Sequence, residues 1–461
     1  MREFLTGTKA RVYICGMVAL IKAAQLLLSL SILVVLHEFG HYWAARAFKT
    51  RVEKFYLFMN PGFSLFKKQI GETEWSIGWL PLGGYVKIAG MIDESMDTEQ
   101  MAQPAQPWEF RSKPAWQRLI IMLGGIIVNL ILGFAIYSMV LLVWGETVLP
   151  AERIPYGLEV DERLKPLGFE DGDQVVSING ETPASFTEIR RSLFFDPVSE
   201  VELTRNGERV QLVFEEDLGQ FLVDSSIRRP FGLRVPALVE TVSPGSGAEA
   251  GGLLPGDRIV TLDGAAVGFH GDVLEYLRTH PMSDVEVGVI RGAYERLQLT
   301  CRTDSSGALG FLQKDPMTMP EFQLEERTYG PGEALVSGFA LAWTTLEEYV
   351  LSMRFLFSRS GASQVGSLVT FGSIFDAGWN WEIFWRNTAF FSLILAFMNL
   401  LPIPALDGGH VVFLLYEMVV GRPAPDKFLE WAQTVGIVLL LGLMALALGN
   451  DIWRVITGQF G

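Results

Sequence analysis

Residues Leu119–Trp144 form a run of 26 positions without one charged side chain. No other feature narrows the fold so far. A helix of about 20 apolar residues crosses a bilayer, and in lipid a single segment satisfies its own backbone only as a helix. Three further runs have that length. They are Val18–Leu36, with Lys22 near its outer end; Thr388–Leu406, uncharged but carrying Asn399, Pro402 and Pro404; and Trp431–Gly449. Helices of soluble cores are seldom apolar on every side for so long. The expected fold is therefore a membrane α-helical bundle of four transmembrane helices. No small-residue cleavage site follows the first run, which is read as retained.

Charge orients these spans. Ten Lys and Arg residues lie between Arg46 and Arg118, which puts the loop between spans one and two in the cytoplasm. Arg111, Lys113 and Arg118 precede the second span while Glu146 and Glu152 follow it. Both termini and the middle of the chain then lie on the opposite side. The formal charge of −15 belongs to that middle: residues 145–335 hold 33 acidic against 17 basic side chains. Such a balance excludes nucleic acid as a partner. The two cysteines, Cys15 and Cys301, are too few and too far apart for a disulfide framework or a structural metal site.

The cytoplasmic loop reads as strands. Lys54–Lys68 has aromatic-rich arms around the turn signal Asn60-Pro61-Gly62, and Glu74–Ala89 adds more, broken at Pro81 and Gly83-Gly84. So apolar a sheet beside membrane spans sits at the lipid, where its open edge needs a partner. The middle region carries an internal repeat: Gly168…Gly172-Asp173…Asn179-Gly180 matches Gly252…Gly256-Asp257…Asp263-Gly264, 84 residues on. A strand between such turns, followed by a helix, is the pattern of a PDZ domain. The chain divides as follows: 1–50, first transmembrane segment; 51–115, membrane-associated β-sheet; 116–146, second transmembrane segment; 147–225 and 226–305, two α+β PDZ domains; 306–380, linker and surface amphipathic helices; 381–412, third transmembrane segment; 413–461, fourth transmembrane segment and C-terminus. Within 306–380, Ala334–Phe357 reads as a helix lying at the membrane surface.

His37-Glu38-Phe39-Gly40-His41 continues the first span. On a helix, positions i and i+4 share a face, so both imidazoles reach one metal. Glu38 is turned by about 100°, which lets it act on a water molecule without filling a ligand position. Two histidines and a glutamate at the edge of lipid are costly and functional by default. A catalytic zinc takes three protein ligands and leaves one position open. His270 and His280 fall in the second repeat, across the membrane, and read as ordinary surface histidines. Asp407 and His410 remain, in Asn399-Leu-Leu-Pro402-Ile-Pro404-Ala-Leu-Asp407-Gly408-Gly409-His410, which ends span three on the side of His41.

HEFGH on the first span with NxxPxPxLDGGH on the third resembles the site-2 protease family of zinc metalloproteases. PLGGYVK in the first loop and tandem PDZ domains between spans two and three narrow the resemblance to members of Gram-negative inner membranes. It implies a zinc metalloendopeptidase engaged in regulated intramembrane proteolysis and stress response. Zn2+ would be held by His37, His41 and Asp407, with Glu38 as general base and His410 nearby but not a ligand. Asn399, Gly83, Gly84 and Tyr85 would meet the substrate. The partners implied are the lipid bilayer and a transmembrane protein substrate of anti-sigma factor type, pre-trimmed by another protease; remnant signal peptides form a second class. The PDZ domains would be periplasmic and the active site toward the cytoplasm. Two departures stand out. The family's GPxxN motif appears as Gly125-Ile-Ile-Val-Asn129, without proline, and Gln364-Val-Gly-Ser367 occupies the place of its SGP segment. The rival readings are a non-catalytic membrane PDZ scaffold or chaperone, in which the histidine motif carries no chemistry, and a transporter, which four spans without repeated halves disfavour.

Overall fold

The computed structural model describes residues 4–80, 83–91, 104–215, 218–225, 227, 230–353 and 368–456. They divide into two compact units, residues 1–145 with 328–461, and residues 146–327.

The first unit opens with helix α1 (Phe4–Ala47) and a four-stranded sheet of β1 (Val52–Leu57), β2 (Phe66–Ile70), β3 (Thr73–Ile77) and β4 (Tyr85–Ile88). Its order is β2-β3-β1-β4, leaving β4 at an edge. The arms flanking Asn60-Pro61-Gly62 do not pair with each other. β3 comes between them, parallel to β1 and antiparallel to β2. Phe39 of α1 and Phe55 of β1 lie 4.7 Å apart, and Phe55 stacks on Trp75 at 4.5 Å. The side of α1 turned away from its histidines thus anchors the sheet. Helix α2 (Ala115–Val143) follows.

The second unit begins with β5 (Glu146–Val148), β6 (Leu158–Val160), β7 (Gln174–Ile178), α3 (Phe186–Phe195), β8 (Glu200–Arg205), β9 (Glu208–Val213) and α4 (Leu218–Asp224). β10 (Phe231–Leu233) and β11 (Val239–Val242) come next. The second repeat continues with β12 (Arg258–Leu262), α5 (His270–Arg278), β13 (Asp284–Arg291) and β14 (Glu295–Arg302). Each repeat is closed by a later strand: β10, expected in the second domain, pairs with β6 of the first, and β15 (Phe311–Gln313) with β11. The segment expected to be a linker therefore supplies β15, and also β16 (Glu325–Arg327), which pairs with β5. Chain entry and exit of this unit are adjacent strands.

The repeat's glycine-aspartate pair has a structural purpose. Asp173 and Asp257 are fully buried. Asp173 takes two bonds from Arg205, at 2.7 and 2.9 Å, and Asp257 two from Arg291, at 2.8 and 2.7 Å. Each arginine also donates to the glycine carbonyl opening its motif, Gly168 or Gly252. Planar, bidentate pairing of this kind is what allows a carboxylate to leave water.

The first unit resumes with α6 (Pro331–Ser352), α7 (Leu368–Ser373), α8 (Trp381–Leu400), α9 (Asp407–Val420) and α10 (Asp426–Ile456). Among the described residues, four helices are long and apolar enough to cross a membrane: Gly16–Ala47, Ala115–Val143, Trp381–Leu400 and Lys427–Arg454. The strands of the described residues form no closed β-barrel. α2 is the hub. Gly40 of α1 faces Gly124, and Gly133 leaves room for Leu393 of α8. Small residues of this kind let helices approach closely in lipid. α6, expected as a helix at the membrane surface, lies against α2: a Cβ on Gly338 would stand 2.4 Å from the Ser138 Cα, and Phe339 stacks on Phe134 at 4.5 Å. α10 meets the rest of this unit through Phe428, whose ring lies 5.9 Å from that of Phe413; through Gln433, whose side chain accepts from the Ala405 amide; through Gly436, tight against Pro404; and through Asp451, bonded to Thr370. Between these points residues 441–446 are all exposed.

Candidate active site

Two helices and a loop converge in the first unit. The loop Leu401–Leu406 breaks α8 from α9, because Pro402 and Pro404 supply no amide donors and Ala405 takes a left-handed φ of 79°. Asp407 is the first residue of α9. Gly408 and Gly409 lie under the loop: a Cβ on Gly408 would stand 2.2 Å from the Leu401 carbonyl oxygen. The aspartate is thereby pushed toward α1.

There it meets both histidines. Asp407 Oδ2 lies 3.1 Å from His37 Nε2 and 3.3 Å from His41 Nε2, and the two Nε2 atoms are 3.2 Å apart. Ligand atoms on a tetrahedral zinc at its usual bond lengths stand about 3.3–3.4 Å from one another. The triangle therefore fits that ion, and among the described residues these three form the one group of its kind. His41 Nδ1 is 2.9 Å from the Ile121 carbonyl, which fixes that ring with Nε2 toward the triangle. His270 and His280 belong to the other unit, where His270 packs on Phe311 and His280 stacks on Tyr276.

A cavity of about 630 Å3 holds the triangle, and Glu38, Asn399, Gly83, Gly84, Tyr85 and His410 line it. The expected substrate residues thus share one space with the metal cluster. Pro81 and Leu82 of PLGGYVK lie outside the described residues, as does the segment 364–367. Gly125, which opens the altered GPxxN motif, leaves room for the imidazoles, since a Cβ there would stand 2.5 Å from both His37 Cε1 and His41 Nε2. Sequence reasoning missed another participant. Gln433 reaches the cavity from α10, with nothing in the sequence to announce it.

In the second unit, backbone amides just after Gly157 are already engaged. The Leu158 amide donates to the Asp173 carbonyl, the Val160 amide to the Asp171 side chain, and Phe231–Leu233 is the partner strand of Leu158–Val160.

Comparison with known proteins agrees with this geometry. The chain is 28% identical over 458 residues to Regulator of sigma-E protease RseP of Escherichia coli (strain K12), covering 94% of this chain and 98% of that protein. It is 29% identical over 461 residues to Regulator of sigma-E protease RseP of Salmonella typhimurium (strain 14028s), with the same coverage. The family description "Peptidase family M50" matches residues 25–443, so a zinc metalloprotease is what the HExxH helix and the distant aspartate build, and the chain belongs to peptidase family M50.

Proposed function

We propose that this membrane zinc metalloprotease hydrolyses peptide bonds of single-pass membrane proteins presented to it in extended form. The observation that carries the reading is the shared cavity, where the edge strand β4 and the Gly83-Gly84 turn face Glu38 and the His37–His41–Asp407 triangle. A helical substrate hides its carbonyls in hydrogen bonds and must unwind to be cut. In lipid those groups need new partners. An open sheet edge supplies them by taking the substrate as an added strand.

His37, His41 and Asp407 would hold zinc, which when bound would acidify water and polarise a carbonyl. Glu38 takes the proton from water and hands it to the leaving amine nitrogen. Asn399, Gly83, Gly84 and Tyr85 position the chain to be cut. Following the family resemblance, an anti-sigma factor type of substrate is the first to try, in an inner membrane with residues 146–327 periplasmic and the site toward the cytoplasm. The two repeats are read as PDZ domains that either bind a trimmed carboxyl end or act as a size filter for pre-trimmed substrates; the engaged Leu158 amide favours the filter for the first repeat.

The test is zinc content and cleavage of a transmembrane substrate in detergent. Native protein binds about one zinc per chain, with three protein ligands and an open position, and cuts. Glu38→Gln keeps the metal and loses turnover by about 10²–10⁴-fold. Asp407→Ala loses both. Cleavage by Glu38→Gln at the native rate overturns the assignment. Deleting residues 146–327 should release cleavage of untrimmed substrate; loss of all cleavage would favour a binding role for the repeats.

A further inference from the structure

Asn129 sits one helical turn beyond Gly125 on the face of α2 that meets the histidines. It is 1% exposed and lines the cavity. Its amide Nδ2 lies 3.3 Å from His37 Nδ1, while its Oδ1 is buried with no hydrogen-bond partner among the described residues. The backbone at this point is fixed, because the Ser392 hydroxyl of α8 donates to the Asn129 carbonyl at 2.6 Å.

A neutral imidazole that offers Nε2 to a cation carries its proton on Nδ1. Two donors, Nδ1–H and Nδ2–H, would then face each other at 3.3 Å. A half-turn of the amide removes the conflict, since oxygen and nitrogen exchange places without any other atom moving. Oδ1 then accepts from His37 Nδ1–H, and the buried acceptor that had no donor gains one. His41 is already served in the same way by the Ile121 carbonyl. Metal-bound histidines almost always have such an acceptor behind them.

We infer that Asn129 is a positioning residue of the metal site: its side-chain oxygen accepts from His37 Nδ1–H and sets the tautomer and ring orientation with which His37 meets zinc. The spacing Gly-x-x-x-Asn on α2 thereby acquires a reason. The glycine leaves space for the two rings and the asparagine, four residues on, holds one of them. The inference rests on the reading of His37 as a ligand.

The experiment measures zinc affinity of the full-length protein in detergent, by competition with a chromophoric chelator, for native chain, Asn129→Ala, Asn129→Asp and His37→Ala. Thermal unfolding of each metal-free protein is followed in parallel. Asp keeps the acceptor in nearly the same place; Ala removes it. The expected result is affinity weakened by about 10–100-fold in Asn129→Ala, and affinity near native in Asn129→Asp, with the metal-free proteins unfolding alike. Native affinity in Asn129→Ala overturns the inference. So does equal weakening in Asn129→Ala and Asn129→Asp, since an acceptor would then not be what matters. Native affinity in His37→Ala removes the ligand assignment itself and the inference with it, a failure visible without reference to Asn129.

Discussion

Gly40 of α1 and Gly124 of α2 meet backbone to backbone: a Cβ on Gly40 would stand 2.3 Å from the Gly124 carbonyl oxygen, and one on Gly124 2.5 Å from that of Gly40. The contact lies within the histidine motif and one residue before Gly125, so helix separation and site geometry are set together. Gly40→Ala and Gly124→Ala should each lower the thermal midpoint, overpacking of this kind costing about 1–3 kcal/mol. Gly125→Ala should bind zinc at least tenfold more weakly. Equilibrium dialysis against buffered zinc checks the second expectation, and unchanged affinity would show that the rings have room to move.

Tyr85 opens the edge strand that shares the cavity with Glu38. Proline there removes one amide and stiffens the entry from Gly84. Turnover of a transmembrane substrate by Tyr85→Pro should fall at least tenfold while zinc content stays native. Turnover equal to the native chain would sink strand addition as the mode of substrate binding.

The buried Asp173–Arg205 pair makes a stability prediction. Removing Arg205 leaves the fully buried Asp173 carboxylate without its counter-ion, at a cost of about 3–5 kcal/mol. Arg205→Ala should therefore unfold the first repeat well below the native midpoint. Hydrogen exchange over residues 158–213 reads this directly, and protection there equal to native would contradict it.

A pH dependence follows from His270. Burial lowers its pKa below the ordinary 6.5, and its Nδ1 has no hydrogen-bond partner among the described residues. Between that lowered value and 6.5 the unfolded chain binds more protons than the folded one, so stability rises with pH in this window and is lost as pH falls. One group gives a slope of at most about 1.4 kcal/mol per pH unit. Glu159 works in the opposite sense. Its pKa is raised by burial and by the neighbouring carboxylates Asp171 and Asp272, so its contribution falls as pH rises above 4.5. Asp263 and Asp304 are held low, chiefly by their hydrogen bonds, and contribute until pH falls below about 4. Hydrogen exchange of residues 258–302 from pH 7 to 5.5, in a Glu159→Gln background, should show protection falling. His270→Phe should flatten the curve, and a flat curve before that substitution would refute the claim.

The spanning helices and the His37–His41 pair were legible because their signals are local. Apolar length announced the spans, and i, i+4 spacing announced His37 and His41. Asp407 was one of two candidates near the proline break, and the family resemblance chose between them. What escaped depends on contacts far apart in sequence. Nothing in residues 52–57 names residues 73–77 as a parallel partner, and Phe311–Gln313 becomes a strand only because Val239–Val242 offers an edge. The inward side of α6 was hidden for the same reason: Ala334, Gly338 and Ala342 read as unremarkable small residues until α2 lies against them.

The fourth spanning helix can be seen as a brace with two fastenings. One end grips the proline loop through Gln433 and Gly436; the other holds Thr370 through Asp451, and residues 441–446 between them are exposed. The residue so gripped, Ala405, is the strained one two positions before Asp407. The last span is therefore no mere anchor. A protein shortened ahead of Asp426 would keep every donor atom of its metal triangle and still lose the prop that keeps one of them in place.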